Sequence, residues 1–253
     1  MLRAERYRAV TQFFKATMPA PETELAYTNP FQLLVAVVLS AQCTDKRINM
    51  VTPALFLAFP DAATMQHATV DQIFQLIKSV SFPNNKAKHL VGLAQLLMAN
   101  HGGEVPQTIE ELTKMPGVGR KTANVIVSVV FNQPAMAVDT HVYRVSRRLG
   151  LANISAKTPS VVEKALMKGF AKVDMAQAHH WLILHGRYVC TARSPKCEAC
   201  GLQHACRFFG LNSTDGTLRP DAKPIPGLKK SPSTAYKKSL AAKKASPLPP
   251  TSR

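Results

Sequence analysis

The chain is predicted to be all-α, on three observations. Apolar residues recur at three- and four-residue intervals, no run of strict alternation suggests a strand, and helix start and stop residues punctuate the sequence throughout. Asn29-Pro30 supplies an N-cap and a first helical residue for Pro30 to Ser40, a segment apolar on every side, as a buried central helix should be. Thr108, with Glu111 three residues later, reads as a capping box that starts a short helix running to about Met115, and Pro116 ends it. Residues 140–149 place Val142, Val145 and Leu149 on one face and Arg144, Arg147 and Arg148 elsewhere, before Gly150 supplies a stop. An amphipathic helix with a basic face is expected there. Thr158-Pro159 opens a further helix in the manner of Asn29-Pro30. From about Asn212 the composition turns to Lys, Ser, Ala and Pro without periodicity, which predicts a disordered basic tail over 212–253.

Composition narrows the partners. With 253 residues, 46% of them hydrophobic, the chain can bury one large or two small cores. Its longest apolar run, Leu33 to Leu39, is far shorter than the roughly 20 residues of a membrane span. A membrane partner is not expected. The formal net charge is +17, and residues 211–253 carry +7 of it, so the part expected to fold is basic in its own right. Such a surplus favours polyanions through counterion release, nucleic acid first among them. The lysine pairs at 229–230, 237–238 and 243–244 are suited to raising non-specific affinity for DNA or to aiding solubility.

Four of the five cysteines lie in the run Cys190-x6-Cys197-x2-Cys200-x5-Cys206, and only Cys43 precedes them. Spacers of this length let four sulfurs turn towards one centre, so the run reads as a Cys₄ site for zinc or an iron–sulfur cluster. Spacing leaves the two open. Paired disulfides would need an oxidising compartment, and the start MLRAERYRAVTQFF has none of the features of a signal peptide. Cys43 is expected to be a small packed residue.

The second constellation is LTKMPGVGRKTANVIV, from Leu112 to Val127: a short helix, a Pro-Gly-Val-Gly turn and a second helix. Gly117 and Gly119 around Val118 permit a tight reversal and close approach to another molecule. Free N–H groups at Arg120, Lys121 and Thr122 can then cradle a phosphate, as in a helix-hairpin-helix that grips DNA without reading sequence. Lys121 can be one more phosphate contact. Alternatively it pairs functionally with Asp139 in Val138-Asp139-Thr140-His141, where the carboxylate can cap the arginine-bearing helix and face a cleft. A lysine attacks as its neutral amine, a state that the positive end of a helix and the charge of Arg120 both favour. His141, beside Asp139, can serve the cleft or only the fold.

These motifs are similar to those of the endonuclease III family of DNA glycosylase/AP lyases. The resemblance rests on LSAQCTD around Gln42, on LTKMPGVGRKTANVIV, AVDTHVYRVSRRLGL and HHWLILHGRYVC, and on the cysteine spacing, in order from about Pro30 to Cys206. It implies a two-lobed helix-hairpin-helix glycosylase fold. Residues 23–135 would form a six-helix barrel carrying the hairpin at about 108–131; residues 1–22 with 136–211 would form a lobe stapled by a [4Fe–4S] cluster on Cys190, Cys197, Cys200 and Cys206. Lys121 would attack C1′ of a flipped nucleotide and Asp139 would activate it or stabilise the sugar cation. Gln42 would fill the gap left in the duplex. Gly117, Val118, Gly119, Arg120, Thr122, His141 and Arg144 would lie along DNA, with Arg193 and Lys196 presenting a basic cluster loop to phosphate.

The implied partner is double-stranded DNA with damaged bases or abasic sites, the implied setting a bacterial cytoplasm and nucleoid, and the protein a monomer. The activity implied is removal of oxidised pyrimidines followed by β-elimination 3′ to the lesion. One departure stands out. Where the family usually has Gly-Leu-Tyr or Gly-Phe-Tyr, this chain reads Val80-Ser81-Phe82-Pro83-Asn84. Phe82 can still wedge into the opposite strand, but Ser81 and Pro83 change the backbone options of the loop. Two alternatives are a monofunctional mismatch or adenine glycosylase, against which Lys121 argues, and a non-catalytic DNA-binding iron–sulfur protein.

Overall fold

The computed structural model describes residues 1–214 together with 217 and 218; the rest of the expected tail lies outside the described residues. Twelve α-helices account for the architecture among them. Helix α1 (Arg3–Thr17) buries Tyr7, Val10 and Phe14. It is followed by α2 (Pro30–Leu39), α3 (Asp45–Ala58), the single turn α4 (Ala62–Met65), α5 (Val70–Ile77) and the long α6 (Pro83–His101). The expected central helix is α2: the Asn29 side chain accepts the Gln32 N–H at 2.9 Å, and eight of its ten residues are buried. Full burial of its leucines contributes about 1.5–3 kcal/mol each against the unfolded chain.

The hairpin consists of α7 (Ile109–Thr113) and α8 (Arg120–Val129). Thr108 caps α7 by accepting the Glu111 N–H at 3.2 Å. The reciprocal half of the expected capping box is not formed, because the Glu111 carboxylate is drawn to Lys114 Nζ at 2.6 Å instead. Helix α9 (Thr140–Leu149) ends at Gly150, whose φ of 81° is the left-handed stop expected of it. Then come α10 (Pro159–Gly169), capped by Thr158, α11 (Met175–Tyr188) and the short α12 (Arg207–Asn212).

Two apolar cores are built from these helices. One joins Leu25 to Ala135 and takes in α2 to α8; Cys43 packs partly buried against it, as expected. The other joins α1 to residues 136–202, centred on Trp181 and Phe14, whose rings stack 5.7 Å apart. The basic face expected on α9 is absent: Arg144, Arg147 and Arg148 are all buried. Their guanidinium groups turn inward because the last turn of α11, the chain after it and the Ile154 loop offer carbonyls that no helix satisfies. Within the tail expected from Asn212, that residue closes α12, and Ser213–Thr214 pairs antiparallel with Thr217–Leu218. No helix among the described residues is long and apolar enough to cross a membrane.

Candidate nucleic-acid interface and cluster site

Gly117 turns the hairpin with φ 77°, and a Cβ placed there would meet His89 at 3.0 Å, so a side chain would strain the backbone and crowd the imidazole. Val118 is buried, with its N–H on the Met115 carbonyl at 3.1 Å, and anchors the turn to the barrel. Gly119 differs. A Cβ there would meet nothing within 4 Å, so its surface is open to an incoming molecule. It is the N-cap of α8 without a side-chain cap, which leaves the first-turn N–H groups directed outward beside Arg120, Lys121 and Thr122. Arg120 is half spoken for: Nη2 lies 2.7 Å from Glu163 Oε1 on α10, and Nε 3.1 Å from the same atom. The charge expected to act on Lys121 is thus partly offset by a carboxylate of the other lobe.

Lys121 is exposed on the first turn of α8. Asp139 is half-buried and caps α9, accepting the Val142 N–H at 2.8 Å, the capping role foreseen for it. Both act electrostatically on one residue that sequence reading passed over. His179 of α11 is buried, is bonded to the backbone of Ala137, and has a pKa pushed down to about 3 by burial, then by His180, with Lys121 lowering it further and Asp139 opposing. Its Nδ1 has no hydrogen-bond partner among the described residues. A buried imidazole at apolar spacing in a helix carries no sequence signal that separates it from packing. His141 is half-buried, its pKa lowered chiefly by burial, with Nδ1 3.2 Å from Arg144 Nη2.

Arg144 is a correction. Its Nη2 donates to the Gly186 carbonyl at 2.7 Å and its Nε to the Cys190 carbonyl at 3.0 Å, and the side chain is buried, so it supports the cluster segment from within instead of lying on the surface as a DNA contact would. Arg148 acts likewise. Its two terminal nitrogens hold the carbonyls of Thr191 at 2.6 Å and Ala192 at 2.9 Å, while the guanidinium lies 4.9 Å from the centre of the Phe208 ring. Arg193 and Lys196, just beyond these carbonyls, are both exposed. The basic loop is therefore presented by a buried arginine as well as by its flanking cysteines.

Cys190, Cys197, Cys200 and Cys206 line one cavity, together with Arg148, His185 and Phe209. Burial pushes the thiol pKa of Cys197 up to about 11 and that of Cys206 up to about 12, and the neighbouring sulfurs add to both. Four thiols crowded in a poorly solvated pocket are costly to ionise unless a cationic centre shares it, which is the chemistry a metal group supplies. Among the described residues no three such ligands converge on a single metal ion.

Gln42 and Phe82, the expected gap-filler and wedge, are both exposed on turns, and both are left-handed, with φ of 56° and 54°. Ser81 and Lys86 tie these turns together. The sequence signal for Lys86 would have been a charged residue on the apolar side of α6.

A family model described as HhH-GPD superfamily base excision DNA repair protein matches residues 35–172, and one described as the iron-sulfur binding domain of endonuclease III matches 190–206. An endonuclease III of Rickettsia felis is 43% identical over 82% of this chain and 97% of its own length. That of Bacillus subtilis is 48% identical over 75% of this chain and 86% of its own. A solved structure of a trapped endonuclease III–DNA covalent intermediate superposes with a TM-score of 0.77 at 44% identity, covering 82% of this chain and 97% of its own.

Proposed function

The chain belongs to the endonuclease III family, and from that membership we propose Lys121 as the amine nucleophile of a base-excision-repair DNA glycosylase and AP lyase acting on oxidised pyrimidines. The supporting observation is that Lys121 stands exposed at the uncapped start of α8 while Asp139 starts α9, both within electrostatic reach of the same buried His179.

In this reading DNA lies across the cleft between a barrel of residues 23–135 and a lobe of residues 1–22 with 136–211. The two apolar cores part between Ala135 and Met136, which suits that division. The hairpin N–H groups, Arg120 and Thr122 hold phosphates on one side, and the loop of Arg193 and Lys196 holds them on the other. The damaged nucleotide is flipped out, Gln42 fills the gap and Phe82 wedges the opposite strand. Lys121 Nζ bonds to C1′ as the bond to the base breaks; the base leaves with the electron pair and the ammonium proton passes to the Asp139 carboxylate or to solvent. The C1′–O4′ bond then breaks, O4′ taking a proton, to leave an iminium at C1′; loss of a C2′ proton forms the C2′=C3′ bond and expels the phosphate from C3′, which is β-elimination, and water later releases Lys121. The protein carries a [4Fe–4S] cluster, with Cys190, Cys197, Cys200 and Cys206 assigned as its ligands. Bound by these four sulfurs, a cluster would supply a structural cross-link from the chain just after α11 to the start of α12, steadying the basic loop, and no step of base release is assigned to it.

A duplex panel tests the reading. Cluster-loaded protein should incise thymine-glycol duplexes with a 3′ unsaturated-sugar end and leave G·T mismatches and A opposite 8-oxoguanine intact. Release of the mismatched base without strand cleavage would replace it with the monofunctional alternative.

A further inference from the structure

The α2–α3 turn carrying Gln42 and the α5–α6 turn carrying Phe82 lie forty residues apart in sequence, yet they are fastened together by two polar side chains. Lys86, one turn into α6, is only 5% exposed. Its ammonium has three donors, and they go to the Leu39 carbonyl at 2.8 Å, the Ala41 carbonyl at 2.7 Å and Ser81 Oγ at 3.1 Å. The first two belong to the frayed C-terminal end of α2, where carbonyls lack helical partners and a cation is favoured. Its backbone N–H meanwhile holds the Phe82 carbonyl at 3.1 Å. The Ser81 hydroxyl faces the Gln42 carbonyl at 3.0 Å and the Ala41 carbonyl at 3.1 Å. Ser81, just before the wedge, thus grips the gap-filler's own backbone, and Lys86, after it, holds the residues leading into that turn, Leu39 and Ala41.

Backbone strain gives these bonds a purpose. A left-handed φ is rare for a bulky aromatic and uncommon for glutamine, and such conformations persist only where their surroundings over-determine them. Here both occur at the two turns that Ser81 and Lys86 join, while the side chains of Gln42 and Phe82 stay free, Phe82 at 59% exposure. Burial pushes the Lys86 ammonium towards its neutral form, with Cys43 opposing, so the carbonyls and hydroxyl around it are what make a charged group tolerable there.

We propose that Ser81 and Lys86 are positioning residues that latch the Gln42 and Phe82 turns into one unit, so that gap filling and strand wedging occur as a single step of damage recognition. The inference rests on the glycosylase reading above and deepens it. The hydroxyl of Ser81 is the part this chain adds at the position where its sequence departs from the usual loop. Neither residue touches the reacting atoms.

The test follows nucleotide flipping by 2-aminopurine fluorescence beside a thymine glycol, with borohydride trapping on a pre-formed abasic site run in parallel. Ser81→Ala should slow flipping about fivefold and Lys86→Met about tenfold or more, the worth of one and of several hydrogen bonds. Where Lys86→Met fails to fold, Ser81→Ala decides alone. A purely structural role is separated by a mutant cycle: Ser81→Ala added to the double variant Gln42→Ala with Phe82→Ala should cost nothing further, because the latch acts only by placing those two side chains. Flipping by Ser81→Ala at the wild-type rate, or penalties that multiply in the triple variant, overturns the latch while wild-type trapping leaves the glycosylase reading standing. Wild-type protein that neither flips nor traps overturns both.

Discussion

Arg187 joins the two lobes, and replacing it with methionine measures what that junction contributes. Its Nη1 lies 2.6 Å from Asp45 Oδ2 at the start of α3 and also pairs with Glu24, whose other oxygen accepts the Tyr188 hydroxyl. Burial pushes the Arg187 pKa down, but Asp45 and Glu24 outweigh it and raise the pKa overall. Exposed ion pairs contribute about 0–1 kcal/mol, and breaking a buried pair costs about 3–5 kcal/mol. Side-chain exposures of 26% for Arg187, 34% for Glu24 and 16% for Asp45 place this triad between the two. Arg187→Met leaves two carboxylates side by side, so an intermediate loss of about 2–3 kcal/mol is expected. For a chain of this size that lowers Tm by about 4–12 °C. Urea denaturation followed by far-ultraviolet circular dichroism reads the loss directly, with an unchanged slope. Asp45→Asn in the same background should be strongly non-additive. A loss under about 0.5 kcal/mol, the range of an ordinary surface substitution, would show that the lobes are held by apolar contact alone.

The remaining expectations concern pH, the cluster loop and packing. His179, at about 3, and His180, at about 4, are both held neutral by burial, whereas a solvated imidazole titrates at about 6.5. The unfolded chain therefore binds protons first, and the stability they contribute is complete above about pH 6.5 and lost as pH falls towards 4. Each costs about 1.4 kcal/mol per unit in that window, so urea midpoints at pH 7.5 and 5.5 should differ clearly; equal midpoints would refute the burial of both rings. Arg148→Met frees the Thr191 and Ala192 carbonyls, and should destabilise the protein by about 3 kcal/mol and speed loss of the cluster's visible absorbance in air; an unchanged bleaching rate would contradict the role given to it. Gly169→Ala would place a Cβ 2.0 Å from Tyr7 Cζ, and that ring is fixed by hydroxyl bonds of 3.0 Å to the Leu151 and Ala165 carbonyls. A cost of about 3 kcal/mol, at the upper end for overpacking, is expected in thermal melts, and a wild-type Tm would show that α1 can retreat from α10.

What was legible in the sequence was local chemistry. Asn29-Pro30, Thr158-Pro159 and Gly150 marked helix ends because capping is decided by a few adjacent residues, and each was found in place. Asp139 as an N-cap was legible for the same reason. The capping box at Thr108 was only half right, since Lys114 competes for Glu111 and such competition depends on the exposed rotamers of both. The arginines of α9 depart from expectation because a charge on a helix reads as a solvated face, and only tertiary structure supplies the carbonyls of Ile154, Gly186, Cys190, Thr191 and Ala192 that draw them inward. Lys86 and His179 escaped notice for a related reason: their partners are backbone atoms or distant charges with no trace in the local pattern.

Covalent trapping of Lys121 is the most direct test of the account. Cluster-loaded wild-type protein incubated with abasic-site duplex and borohydride should yield a stable protein–DNA adduct, and Lys121→Gln, with its cluster absorbance and fold intact, should yield none. An adduct that persists in Lys121→Gln would place the nucleophile elsewhere, and its absence from active wild-type protein would contradict the lyase chemistry itself.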